Sequence, residues 1–215
     1  MTHDRESDRV ESELRRLILT LELEPGAALS EAELMKRYGW GRTPLREAIQ
    51  RLTEQSLLQH TPRQGVMVMP LSVFDFVDVM DALAMVIGPS ASLACRRLGD
   101  AQLDELAGLV ERLQASDAQH DFTALAELDY QFHALLAEAT ANPYLRDYLL
   151  RLHRVAMRFN LAAWQRAGAA SASQSEHHAI LAALRARDAT AVRDAMLAHI
   201  ENARQRIVGV MHNGE

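Results

Sequence analysis

The sequence has one cysteine, Cys95, so no disulfide can form within the chain. Aromatic residues make up only 5%. There is no signal-peptide pattern near the N-terminus, and a cytoplasmic location is expected. No apolar run reads as approaching the roughly 20 residues of a membrane span. The nearest, Ala82 to Ala94, is interrupted by Gly88, Pro89 and two serines, and no membrane partner is expected. No repeat of fixed period is visible. A net charge of −6 argues against a uniformly basic nucleic-acid-binding surface.

What is present is 48% hydrophobic residues and 24% charged ones over 215 residues, enough to bury a core in one large or two small domains. Alanine, leucine and arginine are abundant, which favours helices packed on helices. The charge is segregated: between Lys36 and Arg63 the bases Lys36, Arg37, Arg42, Arg46, Arg51 and Arg63 face only Glu47 and Glu54, a net +4.

Residues 6–22 carry Val10, Leu14, Leu17, Ile18 and Leu21 at helical spacing, and Pro25-Gly26 ends that helix in a turn. Ser30 and Glu33 form a capping-box pattern at the start of a short second helix ending at Tyr38-Gly39. A third helix starts at Arg42-Thr43-Pro44 behind Gly41, with Pro44 in the first turn and Leu45, Ile49 and Leu52 on its buried stripe. Leu57-Leu58 and Val66–Met69 flank Pro62-Arg63-Gln64-Gly65, which reads as a two-stranded hairpin. No strand pattern follows Pro70. Helices are expected at about 72–98, 100–119, 121–140, 143–166, 175–187 and 189–211, with a loop at 168–173. Asp100, Asp121, Ser175 and Asp188 stand at their starts, and Gly88-Pro89 is a candidate kink in the first of them. The expected architecture is mostly α: a winged helix-turn-helix over 1–70 and an all-helical bundle over 71–215.

Two short helices joined by a tight turn, the second one basic, suggest DNA binding. In such a motif the second helix enters the major groove and presents its N-terminal side chains to base edges. Arg42 and Arg46 share one face there, and an arginine can bridge guanine O6 and N7. Thr43 can reach a phosphate or a base, and Arg63, Gln64 and Gly65 at the hairpin tip suit a wing in the minor groove.

The second half has polar residues on apolar stripes. Asp129 and His133, one turn apart, share a face with Phe122, Leu125, Phe132 and Leu136. His177 falls with Ile180, Leu181 and Leu184, and His199 with Val192, Met196, Ile200, Ala203 and Ile207. Burying one carboxylate and three imidazoles without partners is costly. A shared divalent metal would satisfy all four, zinc first, with nickel, manganese or iron also compatible. His178 leaves the apolar face and is set aside. Without an ion, Asp129 and His133 read as a helix-surface pair, and the histidines as core residues bonded to carbonyls.

Leu29-Ser30-Glu31-Ala32-Glu33-Leu34, Gly41-Arg42-Thr43-Pro44-Leu45-Arg46-Glu47-Ala48, and Arg63-Gln64-Gly65-Val66 resemble the winged helix of the GntR family over about residues 8–69. The resemblance implies that Arg42 and Arg46 read DNA and that Gly65 is the wing tip. Two departures bear on operator choice: Gly41 stands where a serine is usual, and Ala32 where some members carry a further DNA-contacting arginine. The second half resembles the FCD ligand-binding domain over about residues 73–209. The matching stretches are Asp129-Tyr130-Gln131-Phe132-His133, Asn142-Pro143, Glu176-His177-His178-Ala179-Ile180 and His199-Ile200. It implies the metal ligands Asp129, His133, His177 and His199, a small carboxylate effector, and a homodimer on a double-stranded operator. Ala84 and Gly88 stand where members often carry an arginine and a glutamate, and Arg154 or Arg158 are candidates to replace the missing cation. The function expected is a ligand-responsive transcriptional regulator, carrying no catalytic residues. The alternatives are a metal-dependent enzyme on the helical domain, or a regulator whose metal is purely structural.

Overall fold

The computed structural model describes residues 2–61, 65–167 and 171–212, in two compact units, 1–72 and 73–215. The N-terminal unit begins with α1 (Thr2–Leu19). It is followed by β1 (Ala28–Leu29), α2 (Glu31–Tyr38), α3 (Arg42–Glu54), β2 (Leu58–Thr61) and β3 (Gly65–Val68). Ser30 Oγ accepts from the Glu33 backbone N–H at 3.3 Å and so caps α2. Val10, Leu14, Leu17 and Ile18 of α1 are buried with Leu45, Ile49 and Leu52 of α3, which packs directly against α1. The expected hairpin is present, with Leu58 opposite Val68 and Thr61 opposite Gly65. Gly65 has φ +84, a left-handed backbone that favours glycine where β3 begins. The sheet has one strand more than expected: β1 pairs with β3, Ala28 opposite Met67 and Leu29 opposite Val66. Two residues are too few to show an alternating pattern, so only the pairing reveals this strand.

The C-terminal unit is helical: α4 (Val73–Arg97), α5 (Asp100–Ala118), α6 (Phe122–Ala139), α7 (Pro143–Ala167), α8 (Ser171–Arg185) and α9 (Ala189–His212). Asp121 accepts from the Ala124 N–H at 3.0 Å, Asn142 from Tyr144 and Leu145, and Asp188 from Thr190 and Ala191, so short polar side chains start three of these helices. α8 begins four residues before the expected Ser175. Nothing in Ser171-Ala-Ser-Gln-Ser175 breaks a helix, and its smallness suggests a loop only by composition.

α4 corrects the reading of apolar runs. It is long and apolar enough to cross a membrane by length and composition alone. It is instead the central helix of this unit, lying along α9, α7 and α6 with Phe76, Met80, Leu83, Ile87, Ala91 and Ala94 buried. The helix continues through Pro89 to Arg97. Gly88 is explained by close approach: a Cβ there would lie 3.0 Å from Arg193 Cγ and 3.1 Å from Leu197 Cδ1 of α9. α6 packs against α4, α5 and α7, and α8 against α5 and α9. The inner faces of α6, α7, α8 and α9 carry the polar residues considered next.

Candidate metal centre and nucleic-acid interface

In the N-terminal unit, α3 buries Pro44, Leu45, Ala48, Ile49 and Leu52 and leaves Arg42, Thr43, Arg46 and Gln50 exposed along the opposite side. Arg46 Nε donates to Glu31 Oε2 at 2.9 Å, and its side chain is 62% exposed, a surface contact that a phosphate or base can replace. Lys36 and Arg37 at the end of α2 are also exposed. Gly65 is exposed, and Arg63 lies outside the described residues.

Arg51 does not belong with this group, although the charge pattern counts it there. Its guanidinium holds Asp8 at 2.6 Å and Glu11 at 3.3 Å on α1. The neighbouring Glu47 of α3 accepts from Ser7 Oγ. These contacts brace the recognition helix against α1 rather than present charge to DNA. Gln50, one turn beyond Arg46, was not singled out in the sequence because glutamine adds no charge. Its place on the exposed face could have marked it.

In the C-terminal unit the structure brings Asp129 and His133 of α6, His177 of α8 and His199 of α9 together. One donor atom from each lies within 4.8 Å of all the others, and all four residues are buried. Asp129 Oδ1 is 3.1 Å from His177 Nε2 and 4.0 Å from His133 Nε2, while His133 Nε2 and His199 Nε2 are 3.2 Å apart.

The ring protons decide what this cluster can do. His177 Nδ1 lies 2.9 Å from the Ser173 carbonyl oxygen, which can only accept, so Nδ1 carries a proton and, in the neutral ring, Nε2 carries the lone pair. His199 Nδ1 lies 2.8 Å from Glu176 Oε2, with the same consequence. Burial pushes His199 below the usual histidine range and His133 well below it, so these rings are neutral near pH 7. Burial alone would raise the Asp129 carboxyl. A hydrogen bond from His177 and positive charge on His133, His177 and His199 would outweigh it and hold the group well below the usual carboxylate range, and a cation at the same place supplies that charge when the rings are neutral. With the rings neutral, three lone pairs, on Asp129 Oδ1, His177 Nε2 and His199 Nε2, converge, with at most the His133 Nε2 proton to share. His177 Nε2 has no hydrogen-bond partner of good geometry among the described residues. A cation answers all four donors at once, and three imidazole nitrogens with one carboxylate oxygen suit a zinc-type ion.

Glu176 stands behind His199, a placement that helical phase conceals in the sequence. It projects away from His177, its sequence neighbour, but α9 brings His199 onto it. It also accepts from Asn202 at 2.9 Å and from Arg206 at 2.6 and 3.0 Å. Burial raises its carboxyl, but His199 and Arg206 draw it down to about 2. A carboxylate behind a ligating histidine fixes the ring and raises its basicity.

A cavity of about 20 Å³ adjoins the cluster, between Asp129, Tyr130 and His133 of α6, His153 and Asn160 of α7, and His199 of α9. His153 was missed, although it shares a stripe with the buried Leu149, Ala156 and Met157. Its ring stacks on His133 at 4.3 Å between centroids and 11° between planes, and burial lowers its pKa to about 4. Asn160 Nδ2 donates to Asp129 Oδ2 at 3.4 Å. The candidate effector arginines do not line the cavity. Arg154 reaches it indirectly, donating to the Tyr130 hydroxyl at 3.1 Å, and Arg158 is buried elsewhere on α7, its pKa lowered to about 10 by that burial. His178 is exposed on the outer face of α8.

Comparison with known proteins covers both units. The family described as bacterial regulatory proteins, gntR family, matches residues 6–68, and the FCD domain matches residues 78–202. The HTH-type transcriptional repressor GlaR of Escherichia coli is 29% identical over 196 residues, spanning 87% of this chain and 89% of that protein. The Nta operon transcriptional regulator of Aminobacter aminovorans is 28% identical, with 87% of each chain covered. Among solved structures, Escherichia coli McbR/YncC superimposes with a TM-score of 0.81 over 98% of this chain and 99% of its own at 22% identity, a likeness of fold. A GntR transcriptional regulator from Rhodococcus sp. RHA1 gives 0.77 at 25% identity, over 94% of this chain and 97% of its own. These relatives are regulators and not enzymes, and this chain belongs to the GntR family of bacterial transcriptional regulators, in the group whose DNA-binding domain is followed by an FCD effector domain.

Proposed function

We propose that the protein is a cytoplasmic, ligand-responsive regulator whose effector domain holds a divalent metal, zinc first, through Asp129, His133, His177 and His199. A small carboxylate effector bound at that ion modulates DNA affinity. The observation that carries the metal reading is the convergence of lone pairs from Asp129, His177 and His199, with the outward nitrogens of both histidines already committed to Ser173 and Glu176. When bound, the ion supplies a Lewis-acidic centre for an oxygen ligand. The protein's own groups do the rest. Glu176 and Ser173 orient the rings, Asn160 holds the second oxygen of Asp129, and the apolar wall excludes water.

On the DNA side the exposed Arg42, Thr43 and Arg46, with Arg63 and Gly65 of the wing, are the proposed contacts. As a homodimer the protein reads two half-sites about 34 Å apart. The effector changes DNA affinity only by binding one dimer arrangement better than the other.

The test is metal content per chain of untagged wild type and His177→Ala by elemental mass spectrometry, with band shifts on operator DNA. One metal per wild-type chain, lost in the variant, is expected, and none in either would refute the metal reading. The small cavity favours a second reading, in which the metal is structural. A carboxylate panel that never alters the band shift of metal-loaded protein would establish it.

A further inference from the structure

A fourth buried imidazole stands beside the three in the metal cluster. His153 is 5% exposed, and its Nε2 is buried without a hydrogen-bond partner among the described residues. Native proteins pair nearly all such groups, and one that stays unpaired asks for an explanation such as a missing ligand. His153 lies outside the four-residue set whose donor atoms fall within 4.8 Å of one another, so it stands beside the ion position. It nevertheless lines the cavity that adjoins the cluster. The polar neighbours there are engaged: Asn160 Nδ2 with Asp129, and the Tyr130 hydroxyl with Arg154. The rest of the wall, Met80, Leu83, Ala156, Ile200 and Ala203, is apolar.

We propose that His153 is a specificity-determining residue of the effector site. Its Nε2–H donates to the second oxygen of a carboxylate whose first oxygen lies on the metal held by Asp129, His133, His177 and His199. This rests on the metal and carboxylate reading above. A carboxylate fits because it offers two acceptors on one carbon, one for the ion and one for the neighbouring ring. The stack on His133 fixes the plane of the His153 ring, which lowers the ordering cost of binding. About 20 Å³ holds about one water-sized group, so the apolar wall of Met80, Leu83, Ala156, Ile200 and Ala203 has to move apart to admit a carboxylate.

The experiment uses the full chain loaded with cobalt(II), whose visible absorption reports its coordination. It is titrated with acetate and, separately, with chloride, an anion that has no second oxygen. His153→Phe keeps a flat ring against His133 and removes the donor. It is expected to weaken acetate about tenfold while leaving cobalt stoichiometry and chloride affinity unchanged. In zinc-loaded wild type with ¹⁵N-labelled histidine, the His153 Nε2 resonance is expected to move on adding acetate and not chloride. That measurement holds even where the variant fails to fold. An unchanged acetate affinity, an equal loss for both anions, a lost cobalt, a static resonance, or a wild type blind to acetate would each overturn the role of His153 and leave the metal centre standing. A wild type that takes up no cobalt would instead overturn the metal reading itself.

Discussion

Glu176→Gln is the sharpest probe of the metal centre, because it removes no proposed ligand and almost no volume. The carboxylate accepts from His199 Nδ1 at 2.8 Å while holding the Arg206 fork and Asn202. The amide keeps one acceptor oxygen but loses the charge. It cannot accept from His199 and both Arg206 nitrogens together. Outer-shell partners of this kind are worth about 10–100-fold in metal affinity, which is about 1.4–2.7 kcal/mol. A free-metal concentration about a thousand times Kd stabilises the folded wild type by about 4 kcal/mol. At the same concentration the variant gains less by the amount lost in affinity. At about 2–4 °C per kcal/mol for a chain of this size, the metal-induced rise in Tm shrinks by about 3–10 °C. Competition against a fluorescent zinc chelator measures Kd. Thermal melts with and without chelator measure the rise, each protein against its own metal-free baseline, since loss of the Arg206 pairing also lowers that baseline. A variant with wild-type Kd and an undiminished rise would falsify the claim that Glu176 acts through His199.

Three further predictions concern other parts of the molecule. Arg42→Ala and Arg46→Ala should each weaken binding to a specific operator by about 1–3 kcal/mol in fluorescence anisotropy at fixed salt, whereas Arg51→Ala, paired with Asp8 and Glu11, should leave it unchanged; equal losses at all three positions would reduce the arginines to bulk charge. In the metal-free protein His133, His153 and His199 are shifted below the ordinary histidine value of 6.5, so the unfolded chain binds protons that the folded one refuses. Their contribution to stability is complete above about pH 6.5 and is lost as pH falls toward 4, about 3 kcal/mol for His153 alone, and a Tm that stays flat over that range contradicts it. Gly88→Leu should cost about 1–3 kcal/mol by overpacking α4 against Arg193 and Leu197, read as a lowered Tm with native far-ultraviolet dichroism.

Much of the architecture can be read from the chain because helices announce themselves twice, by apolar spacing and by their ends. α6 has both Leu125, Phe132 and Leu136 on one stripe and Asp121 before it. The same spacing exposes the proposed ligands, since a polar residue on an apolar stripe is buried with its neighbours and needs a partner. His153 obeys this rule as well as His177 does. It is overshadowed on α7 by Arg154 and Arg158, whose charge makes them the more obvious partners for an acid. β1 could not be seen at all, for a strand of two residues is defined by its partner rather than by its own sequence.

Periodicity tells which side of a helix is buried, and that is a property of one helix. Which groups then meet is a property of two. Arg51 reads as part of a basic surface until α1 brings Asp8 and Glu11 to it, and Glu176 reads as a bystander until α9 brings His199 and Arg206. In both cases the sequence position is correct and the partner is invisible. For the cluster the distinction decides the chemistry. Four buried polar residues could in principle satisfy each other by sharing protons. Only the outer partners, a carbonyl behind His177 and a carboxylate behind His199, turn both Nε2 lone pairs inward and leave too few protons for the acceptors that meet there. It is therefore the groups behind the histidines, the part least readable from sequence, that turn a pattern of buried histidines into an argument for a cation.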